Sequence, residues 1–286
     1  MAVREDKLLG LVIRKSASRA LSSILRFSFF LFLVLCVVGI HKVYAYKELI
    51  VLGKWSRKGL NELLRDASRI KDTGKRIDFL SKQFLGVPYK GHTLIGNLNI
   101  PEVFVINLKE LDCFTYIDYV EAMRLSNSFD EFKERLKEIR YRYGYVDFKH
   151  RNHFFTDWIV FNNRYVDDVT QEVGRERTRV VDKVLNRRED GSSFLPGISP
   201  VLRRIHYIPS YAVDDGVVGR LKTGDYIGVY SDKQGLDVSH TGIVIKYGNK
   251  AYLRHASSRR GIGRVLDEDL KSYILGKPGI VVVRPK

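Results

Sequence analysis

SHTGIVIK (residues 239–246) and AYLRHAS (residues 251–257) are two β-rich runs that flank the turn pair Gly248-Asn249. Two such runs joined by a Gly-Asn pair predict a β-hairpin. Upstream, residues 225–230 alternate like a strand, and residues 279–284 predict a final strand after a helix over residues 267–275. The C-terminal third is therefore predicted to form an antiparallel sheet.

The hairpin fixes the relative positions of two histidines. If Tyr247 pairs with Lys250, His240 lies opposite Ser257 on the neighbouring strand. His240 and His255 then share one face as diagonal neighbours, with backbones about 5.5 to 8 Å apart. A register shift of one residue would move one of them to the other face. The alternative is that both histidines only decorate a strand face.

A second decisive stretch is Asp112-Cys113-Phe114-Thr115. It follows a β-like run, residues 103–108, and opens an apolar-periodic segment that continues to Met123. This pattern predicts a helix with Asp112 as its cap and Cys113 in its first turn. The helix dipole at that end is expected to lower the pKa of the thiol, which would make Cys113 a nucleophile. The alternative is an inert buried thiol.

The composition favours a globular protein with an anionic partner. Of 286 residues 44% are hydrophobic, enough for one well-cored domain of about 240 residues or for two small ones. Lys+Arg number 49 and Asp+Glu 33, a net charge of +16. Residues 1–45 hold seven basic and two acidic side chains, which leaves a net charge of +11 on residues 46–286. Such a charge favours an anionic partner without identifying it.

The N-terminal 45 residues predict a signal peptide or an N-terminal membrane anchor. Six basic residues precede the apolar block Phe27–Ile40, which has 14 residues, fewer than the roughly 20 that a spanning helix needs. Val43-Tyr44-Ala45 supplies small residues for cleavage after Ala45. Either form places residues 46–286 in the periplasm or cell envelope, with membrane association through the N-terminus, and no nucleic-acid partner is expected.

Export also affects the interpretation of the cysteines. The chain has two, and Cys36 lies inside the apolar block, so Cys113 is left alone in the exported domain. Exported proteins usually pair their cysteines, and a single thiol in an oxidising compartment is therefore a candidate reactive site.

The middle of the chain predicts further helices. Residues 61–84 predict two short amphipathic helices broken near Thr73-Gly74, and Ser128 with Glu131 forms a capping box for a helix that ends near Tyr141. Residues 171–192 are basic and weakly periodic, and they predict a long helix or a surface excursion.

Two segments supply candidates for a substrate cleft. Tyr89 follows Gly86 in a glycine-rich loop upstream of Cys113, although an aromatic exposed on a turn is an equally simple interpretation. The segment from residue 151 to residue 158 is dense in hydrogen-bonding and aromatic groups: Arg151, His153, Asp157 and Trp158. The alternative for that segment is a buried tryptophan with satisfied polar neighbours.

One cysteine at a helix start and two histidines on one sheet face are the components of a catalytic triad. In this hypothesis Cys113 attacks, His240 takes the thiol proton and later protonates the leaving amine, and His255 orients His240. No cofactor or metal is expected. A zinc site formed by the same three residues is the competing hypothesis, although the ligands lack paired spacing and an acidic general base.

In these motifs the chain resembles the AmiA-like amidase branch of the NlpC-type papain-like cysteine hydrolases of bacterial cell walls. The matching segments are Asp112-Cys113, Ser239–Ile243, His255–Ser257, the Tyr89 loop and residues 151–158. The resemblance implies an α+β, papain-like (NlpC-type) fold. In it the nucleophile-bearing helix packs on an antiparallel β-sheet, with helical insertions.

The resemblance also implies a substrate and roles for residues. The substrate would be peptidoglycan or muropeptides, cut at the amide between N-acetylmuramic acid, including its 1,6-anhydro form, and L-alanine. The backbone N–H of Cys113 and Tyr89 would stabilise the oxyanion, while Arg151, His153, Asp157 and Trp158 would line the substrate cleft. A stem-peptide endopeptidase with the same triad and a non-catalytic murein-binding envelope protein are the alternatives.

Overall fold

The computed structural model describes residues 46–286, and the first strand of this region pairs in parallel with a second short strand. β1 (Lys47–Val51) and β2 (Val103–Asn107) run side by side, with Lys47 paired to Val103. The predicted signal peptide or anchor, residues 1–45, lies outside the described residues. Among the helices of residues 46–286, none is both long enough and apolar enough to cross a membrane.

Between β1 and β2 lie two helices, α1 (Arg57–Arg69) and α2 (Thr73–Lys82), which confirm the predicted pair. The break lies at residues 70–72, slightly earlier than predicted, because the Asp72 carboxylate caps α2 by accepting from the Lys75 N–H (2.7 Å). Gly74 belongs to the first turn of α2, where a Cβ would collide with the carbonyl oxygen of Thr223.

The helix that begins at Cys113 is central to the fold. α3 (Cys113–Arg124) is buried from Thr115 to its end and packs against α2, α4 (Phe129–Arg140) and the large sheet. Ser128 caps α4 as predicted, because its hydroxyl accepts from the Glu131 N–H (3.2 Å).

The charges buried on α3 are paired. Asp118 accepts from Arg140 (2.9 Å) and from the indole N–H of Trp158 (3.0 Å), and Glu121 pairs with Arg124 (2.6 Å). A buried charge without such partners would cost several kcal/mol, so these contacts are what allow α3 to lie inside the protein.

The segment after α4 differs from its prediction. It contains α5 (Phe155–Phe161), β3 (Val166–Asp168), α6 (Thr170–Gly174), β4 (Arg179–Leu185) and β5 (Val201–Pro209). Of the two predictions for residues 171–192, a long helix or a surface excursion, the long helix is wrong, because the segment contains the short α6 and the edge strand β4. Asp182 on the edge strand β4 pairs with Arg204 on β5 (2.9 Å). Because such charged side chains occupy this strand, its sequence lacks a clear alternation of apolar and polar residues.

The remaining elements complete an eight-stranded antiparallel sheet. They are α7 (Asp215–Arg220), β6 (Tyr226–Tyr230), β7 (Val238–Tyr247), β8 (Lys250–Ala256), β9 (Val265–Asp269), α8 (Leu270–Ile274) and β10 (Gly279–Pro285). The strand order is β4-β5-β10-β6-β7-β8-β9, and β3 also pairs with β10. The architecture is α+β, with helices on both sides of an antiparallel sheet.

The predicted hairpin register is confirmed. Tyr247 pairs with Lys250, and the same register continues to Ile243 and Arg254. The final strand is also confirmed as β10. The helix predicted from residue 267 is correct only after residue 269, because residues 265–269 pair with β8 as a strand and Asp269 then caps α8.

Both faces of the sheet are covered. On β10, Val281 and Val283 belong to the core shared with α1 to α5, whereas Ile280 and Val282 belong to the core shared with α6 to α8. Alternate residues of one strand therefore enter two different cores, which explains why the central strands are apolar without interruption.

Candidate active site

Cys113 occupies the first position of α3, and Asp112 is the cap residue. The Asp112 carboxylate accepts from the N–H groups of Phe114 (3.1 Å) and Thr115 (2.8 Å), and the Thr115 hydroxyl accepts from the Asp112 N–H (3.0 Å). This capping box fixes the first turn and takes up two of its free donors. The N–H of Cys113 itself has no acceptor in the cap, so it is available to a ligand.

The two histidines are in direct contact, as the predicted register requires. Nε2 of His240 lies 2.8 Å from Nδ1 of His255, and the ring centroids are 4.9 Å apart at nearly a right angle. His255 is fully buried and His240 is half-buried. Tyr273 of α8 packs against both rings, at 4.6 Å from His255 and 5.8 Å from His240.

Thr241 connects the histidine strand to the cysteine helix. Its hydroxyl donates to the carbonyl oxygen of Cys113 (2.8 Å), and Thr241 directly follows His240 in the chain. Burial raises the pKa of Tyr273 to about 12, and a charge on Cys113 would add to the rise, which places the thiol near the aromatic ring that both histidines contact. Within the described residues no hydrogen bond joins the Cys113 sulfur directly to His240.

The electrostatics of Cys113 overturn one expectation from the sequence. Burial raises the pKa of the thiol to about 11, and the Asp112 carboxylate adds to the rise, while hydrogen bonds from Thr241 only reduce it. The lowered pKa predicted from the helix dipole is therefore wrong. Burial outweighs the dipole, and the cap that defines the helix start adds a negative charge next to the thiol.

His240 is also neutral in the resting protein. Burial lowers its pKa to about 3, and the charges of His255, Lys277 and Arg259 act in the same direction. A thiol with a raised pKa beside an imidazole with a lowered pKa gives a neutral pair at neutral pH. The site therefore holds a thiol and a base, and not a preformed thiolate and imidazolium.

A fourth polar residue extends the histidine pair. Oε2 of Glu268 lies 2.8 Å from Nε2 of His255, and Arg259 bonds to the other carboxylate oxygen. Burial works to raise the pKa of Glu268, but the hydrogen bonds from Arg259 and His255 outweigh it and hold the pKa below its ordinary value.

Glu268 was not among the residues predicted for the site. In the pairing of β8 with β9, Leu253 lies opposite Glu268 and His255 opposite Leu266, so Glu268 is a diagonal neighbour of His255. Residues 265–269 do not alternate between apolar and polar, so the sequence alone favoured a helix there, and only the pairing with β8 brings Glu268 to His255.

The loop that carries Tyr89 lies beside the residues that precede the cysteine. It bridges in parallel to Leu111, one residue before Asp112. Burial raises the pKa of Tyr89, and charges on Cys113 and Asp112 add to the rise. The phenol therefore stays protonated and can act as a hydrogen-bond donor beside the thiol.

Arg151 and His153 line a cavity of about 460 Å³ that Asp112 borders. Arg151 pairs with the buried Glu102 and stacks over Phe148 (5.3 Å), and His153 donates from Nε2 to the Phe148 carbonyl oxygen (2.7 Å). Burial lowers the pKa of His153 to about 4, so its ring is neutral. Both residues therefore lie on the cysteine side of the site.

Asp157 and Trp158 do not line that cavity. Trp158 is fully buried, donates to Asp118 and stacks on Phe155, so the prediction that it contacts substrate is wrong. Asp157 is buried between two arginines, Arg142 and Arg203, at a different cavity. The apolar spacing of α5 turns both side chains toward the core.

A second cavity of about 560 Å³ lies on the histidine side. His240, Tyr273, Arg259 and Lys277 line it together with the serines 239, 258 and 272. The site is therefore flanked by a cavity with large apolar walls at Asp112 and a strongly polar cavity at His240.

Comparison with known proteins identifies the family. Residues 79–280 match the model of the AmiA-like family, described as N-acetylmuramoyl-L-alanine amidase-like. The chain belongs to this family. The matched range contains Tyr89, Cys113, His240, His255 and Glu268. No curated protein matches the chain.

Solved structures agree with this family. An N-acetylmuramoyl-L-alanine amidase of Bacteroides uniformis is 30% identical, with a TM-score of 0.63, over 75% of this chain and 99% of that one. A protein of Legionella pneumophila has a TM-score of 0.68 over 80% of this chain and 94% of that one, and at 22% identity it supports the fold alone. An amidase-like hydrolase acting on peptidoglycan is thus the function class that the relatives support.

Proposed function

We propose that this protein is a cysteine-dependent N-acetylmuramoyl-L-alanine amidase. It hydrolyses the amide between N-acetylmuramic acid, including the 1,6-anhydro form at glycan ends, and the L-alanine of the stem peptide. The observation that carries the proposal is the placement of Cys113 at a helix start, hydrogen-bonded through its carbonyl oxygen to Thr241, beside a hydrogen-bonded histidine pair.

In the acylation step, Cys113 is the nucleophile and His240 the general base. His240 takes the thiol proton as sulfur attacks the lactyl carbonyl carbon, and the carbonyl oxygen becomes an oxyanion. The N–H of Cys113 and the phenol of Tyr89 are the proposed donors to that oxyanion. His240 then protonates the alanine nitrogen, the C–N bond breaks, and a thioester on Cys113 remains.

In the second step, water replaces the stem peptide. His240 accepts a proton from the water as its oxygen attacks the thioester carbonyl. The C–S bond then breaks, the thiolate leaves, and His240 returns the proton to the sulfur of Cys113. The products are a lactyl carboxylate on the muramic acid and an L-alanine amino group that takes up the remaining proton as an ammonium, so atoms and charge balance over the cycle.

The neutral resting pair requires proton transfer to accompany attack. A thiol with a pKa near 11 is almost fully protonated at pH 7, so Cys113 needs a base in the transition state. Catalytic hydrogen bonds in ligand-free enzymes are often long and shorten in the substrate complex. The cysteine-to-histidine contact is proposed to form in this way.

The two cavities suggest an orientation for the substrate. The leaving nitrogen has to reach His240, so the stem peptide occupies the polar cavity with Lys277 and Arg259, which suits its carboxylates. The muramoyl group then lies in the cavity of Arg151 and His153, whose walls include Phe148 and Leu94. Asp157 and Trp158 have no part in this arrangement.

The fold and location complete the proposal. A helix bearing Cys113 packed on an antiparallel sheet bearing both histidines supports a papain-like, NlpC-type fold. A murein substrate and the basic, apolar N-terminus support export to the periplasm or cell envelope, with membrane association through residues 1–45.

Mass spectrometry of products from purified murein and from anhydro-ended muropeptides tests the reaction. The full-length protein is expected to release stem peptides that begin with L-alanine, and its Cys113→Ala variant to release none. Fragments cut within the stem would instead identify an endopeptidase. Co-sedimentation with sacculi and no products from any of these substrates would identify a binding protein.

A further inference from the structure

Glu268, His255 and His240 form a continuous line of hydrogen bonds. The carboxylate meets Nε2 of His255 at 2.8 Å, and Nδ1 of His255 meets Nε2 of His240 at 2.8 Å. Arg259 closes the outer end by bonding to Glu268. The proposed triad thus has a carboxylate beyond its third member.

The hydrogen-bonding capacities along this line fix the positions of its protons. An ionised carboxylate only accepts, so Nε2 of His255 must carry a proton. Since His255 is neutral, its Nδ1 is then an acceptor, and Nε2 of His240 must donate to it. Nδ1 of His240 is left with a lone pair, which is the state that a general base needs.

Without the carboxylate, nothing would determine which of the two imidazoles donates the hydrogen bond between them. Two neutral imidazoles can share one hydrogen bond with the proton on either ring, and the opposite arrangement would leave His240 with a proton on Nδ1. That form of His240 cannot accept a proton from the thiol. The orientation by His255 alone is therefore ambiguous, and Glu268 is the group that removes the ambiguity.

The surroundings keep Glu268 ionised. The charged groups that face the histidine pair are Arg259 in the loop before β9, Asp267 on β9 and Lys277 before β10. Asp267 is engaged by the buried Arg254 on both oxygens (2.7 and 2.9 Å). Arg259 bonds to Glu268 directly, and Glu268 is the only one of the two carboxylates bonded to His255.

We propose that Glu268 is a positioning residue that selects the Nε2–H tautomer of His240 through His255. Arg259 assists by keeping the carboxylate ionised and in place. This inference rests on the proposed function, because the tautomer matters only if His240 acts as a base.

The first test reads the tautomer directly and requires no substrate. Nitrogen-15 NMR of the histidine rings in the wild-type protein at pH 7 is expected to show His240 and His255 both as Nε2–H. In Glu268→Gln, whose amide can donate as well as accept, a mixture is expected. Wild-type His240 with its proton on Nδ1 would overturn the proposal, whatever the substrate of the enzyme.

The second test separates positioning from folding. Glu268→Gln is expected to lower kcat by about 10-fold to 100-fold with little change in KM, less than the roughly 10⁴-fold loss when a directly orienting aspartate is replaced in a serine triad. Glu268→Asp, which keeps the carboxylate, is expected to recover part of the loss. Glu172→Gln is the matched control at an exposed ion pair and should behave as wild type.

The outcomes distinguish this inference from the proposed function. A wild-type enzyme that releases stem peptides while Glu268→Gln keeps kcat within about 2-fold would reject the role of Glu268 alone. A wild-type enzyme without amidase products, but with the expected tautomers, would reject the reaction and retain the positioning. If Glu268→Gln does not fold, the tautomers of His240 and His255 in the wild-type protein and in Arg259→Gln still test whether the carboxylate selects the Nε2–H form.

Discussion

The hydroxyl of Thr241 donates a 2.8 Å hydrogen bond to the carbonyl oxygen of Cys113. Thr241 is almost fully buried and follows His240 directly on β7. This one bond therefore ties the first turn of the cysteine helix to the strand that carries the proposed base. Its geometry sets how the thiol and the imidazole can approach each other.

Thr241→Val tests this connection, because valine has a similar shape but lacks the hydroxyl. The variant is expected to lose about 0.5 to 1.5 kcal/mol of unfolding free energy. A displacement of the thiol by a fraction of an ångström is expected to lower kcat by about 10-fold or more. Urea unfolding and steady-state kinetics with a muropeptide measure the two effects.

Thr223→Val is the matched control. Its hydroxyl accepts from the backbone N–H of Lys246 (3.0 Å), away from the site. A similar loss of stability with wild-type kcat is expected there. If both variants lose activity equally, the Thr241 bond has no special role in catalysis.

The pH profile follows from the neutral resting pair. The pKa of His240 is lowered to about 3, so its protonated form is lost as pH rises above that value and the base is available throughout the mildly acidic range. The acid limb of kcat/KM is therefore expected well below pH 6.5, the ordinary pKa of histidine. A midpoint at or above pH 6.5 would contradict the lowered pKa of the imidazole.

The rate at which iodoacetamide alkylates Cys113 tests the raised pKa of the thiol. Burial raises the pKa of the thiol to about 11, so the alkylation rate is expected to keep increasing with pH beyond the ordinary thiol pKa of about 8.5. A plateau at or below neutral pH would show a preformed thiolate. Cys36 is also present in the full chain, so the labelled residue is identified by peptide mass mapping, with Cys113→Ala as the blank.

Sequence patterns predicted the parts of the site that depend on local rules. The Asp112 cap and the turn at residues 248–249 fixed Cys113, His240 and His255, since a helix start and a hairpin register are decided by neighbouring residues. The pKa of Cys113 could not be predicted in this way, because it depends on how deeply tertiary packing buries the thiol. Glu268 was missed because its strand is defined only by pairing with β8.

Trp158 is a residue whose predicted role failed because its side-chain direction depends on tertiary structure. Residues 151–158 were predicted to line the cleft together, but only Arg151 and His153 line the cavity that Asp112 borders, whereas Trp158 belongs to the core. The direction of a side chain depends on the turn between residues 151 and 155 and on the burial of α5 against the sheet.

Trp158→Phe separates a core role from a substrate-binding role. Phenylalanine keeps much of the packing but removes the N–H that donates to the buried Asp118 (3.0 Å). Leaving that acceptor short of one partner is expected to cost about 1 to 3 kcal/mol of unfolding free energy. Activity at temperatures below unfolding should stay near wild type, with unchanged KM. A KM increase of about 10-fold in a stably folded variant would return Trp158 to the substrate cleft.

Gly242 offers the most direct test of how closely the two histidine strands must pack. A Cβ at this position would lie 2.7 Å from the Leu253 side chain and 3.0 Å from Cβ of His255. Gly242→Ala therefore has to push β8 away, and such overpacking costs about 1 to 3 kcal/mol. The displaced His255 would lengthen its bond to His240, so kcat is expected to fall more than stability alone explains.

Two further variants make the Gly242 prediction specific. Gly219 on α7 has open space around it, so Gly219→Ala is the matched control and should keep full activity with equal or slightly higher stability. Adding Leu253→Ala to Gly242→Ala removes one of the two clashes but leaves the one at His255. The double variant should therefore lose less stability than the sum of the single changes while kcat stays low. Recovery of kcat in the double variant would show that the clash with Leu253, and not the position of His255, limits the activity of Gly242→Ala.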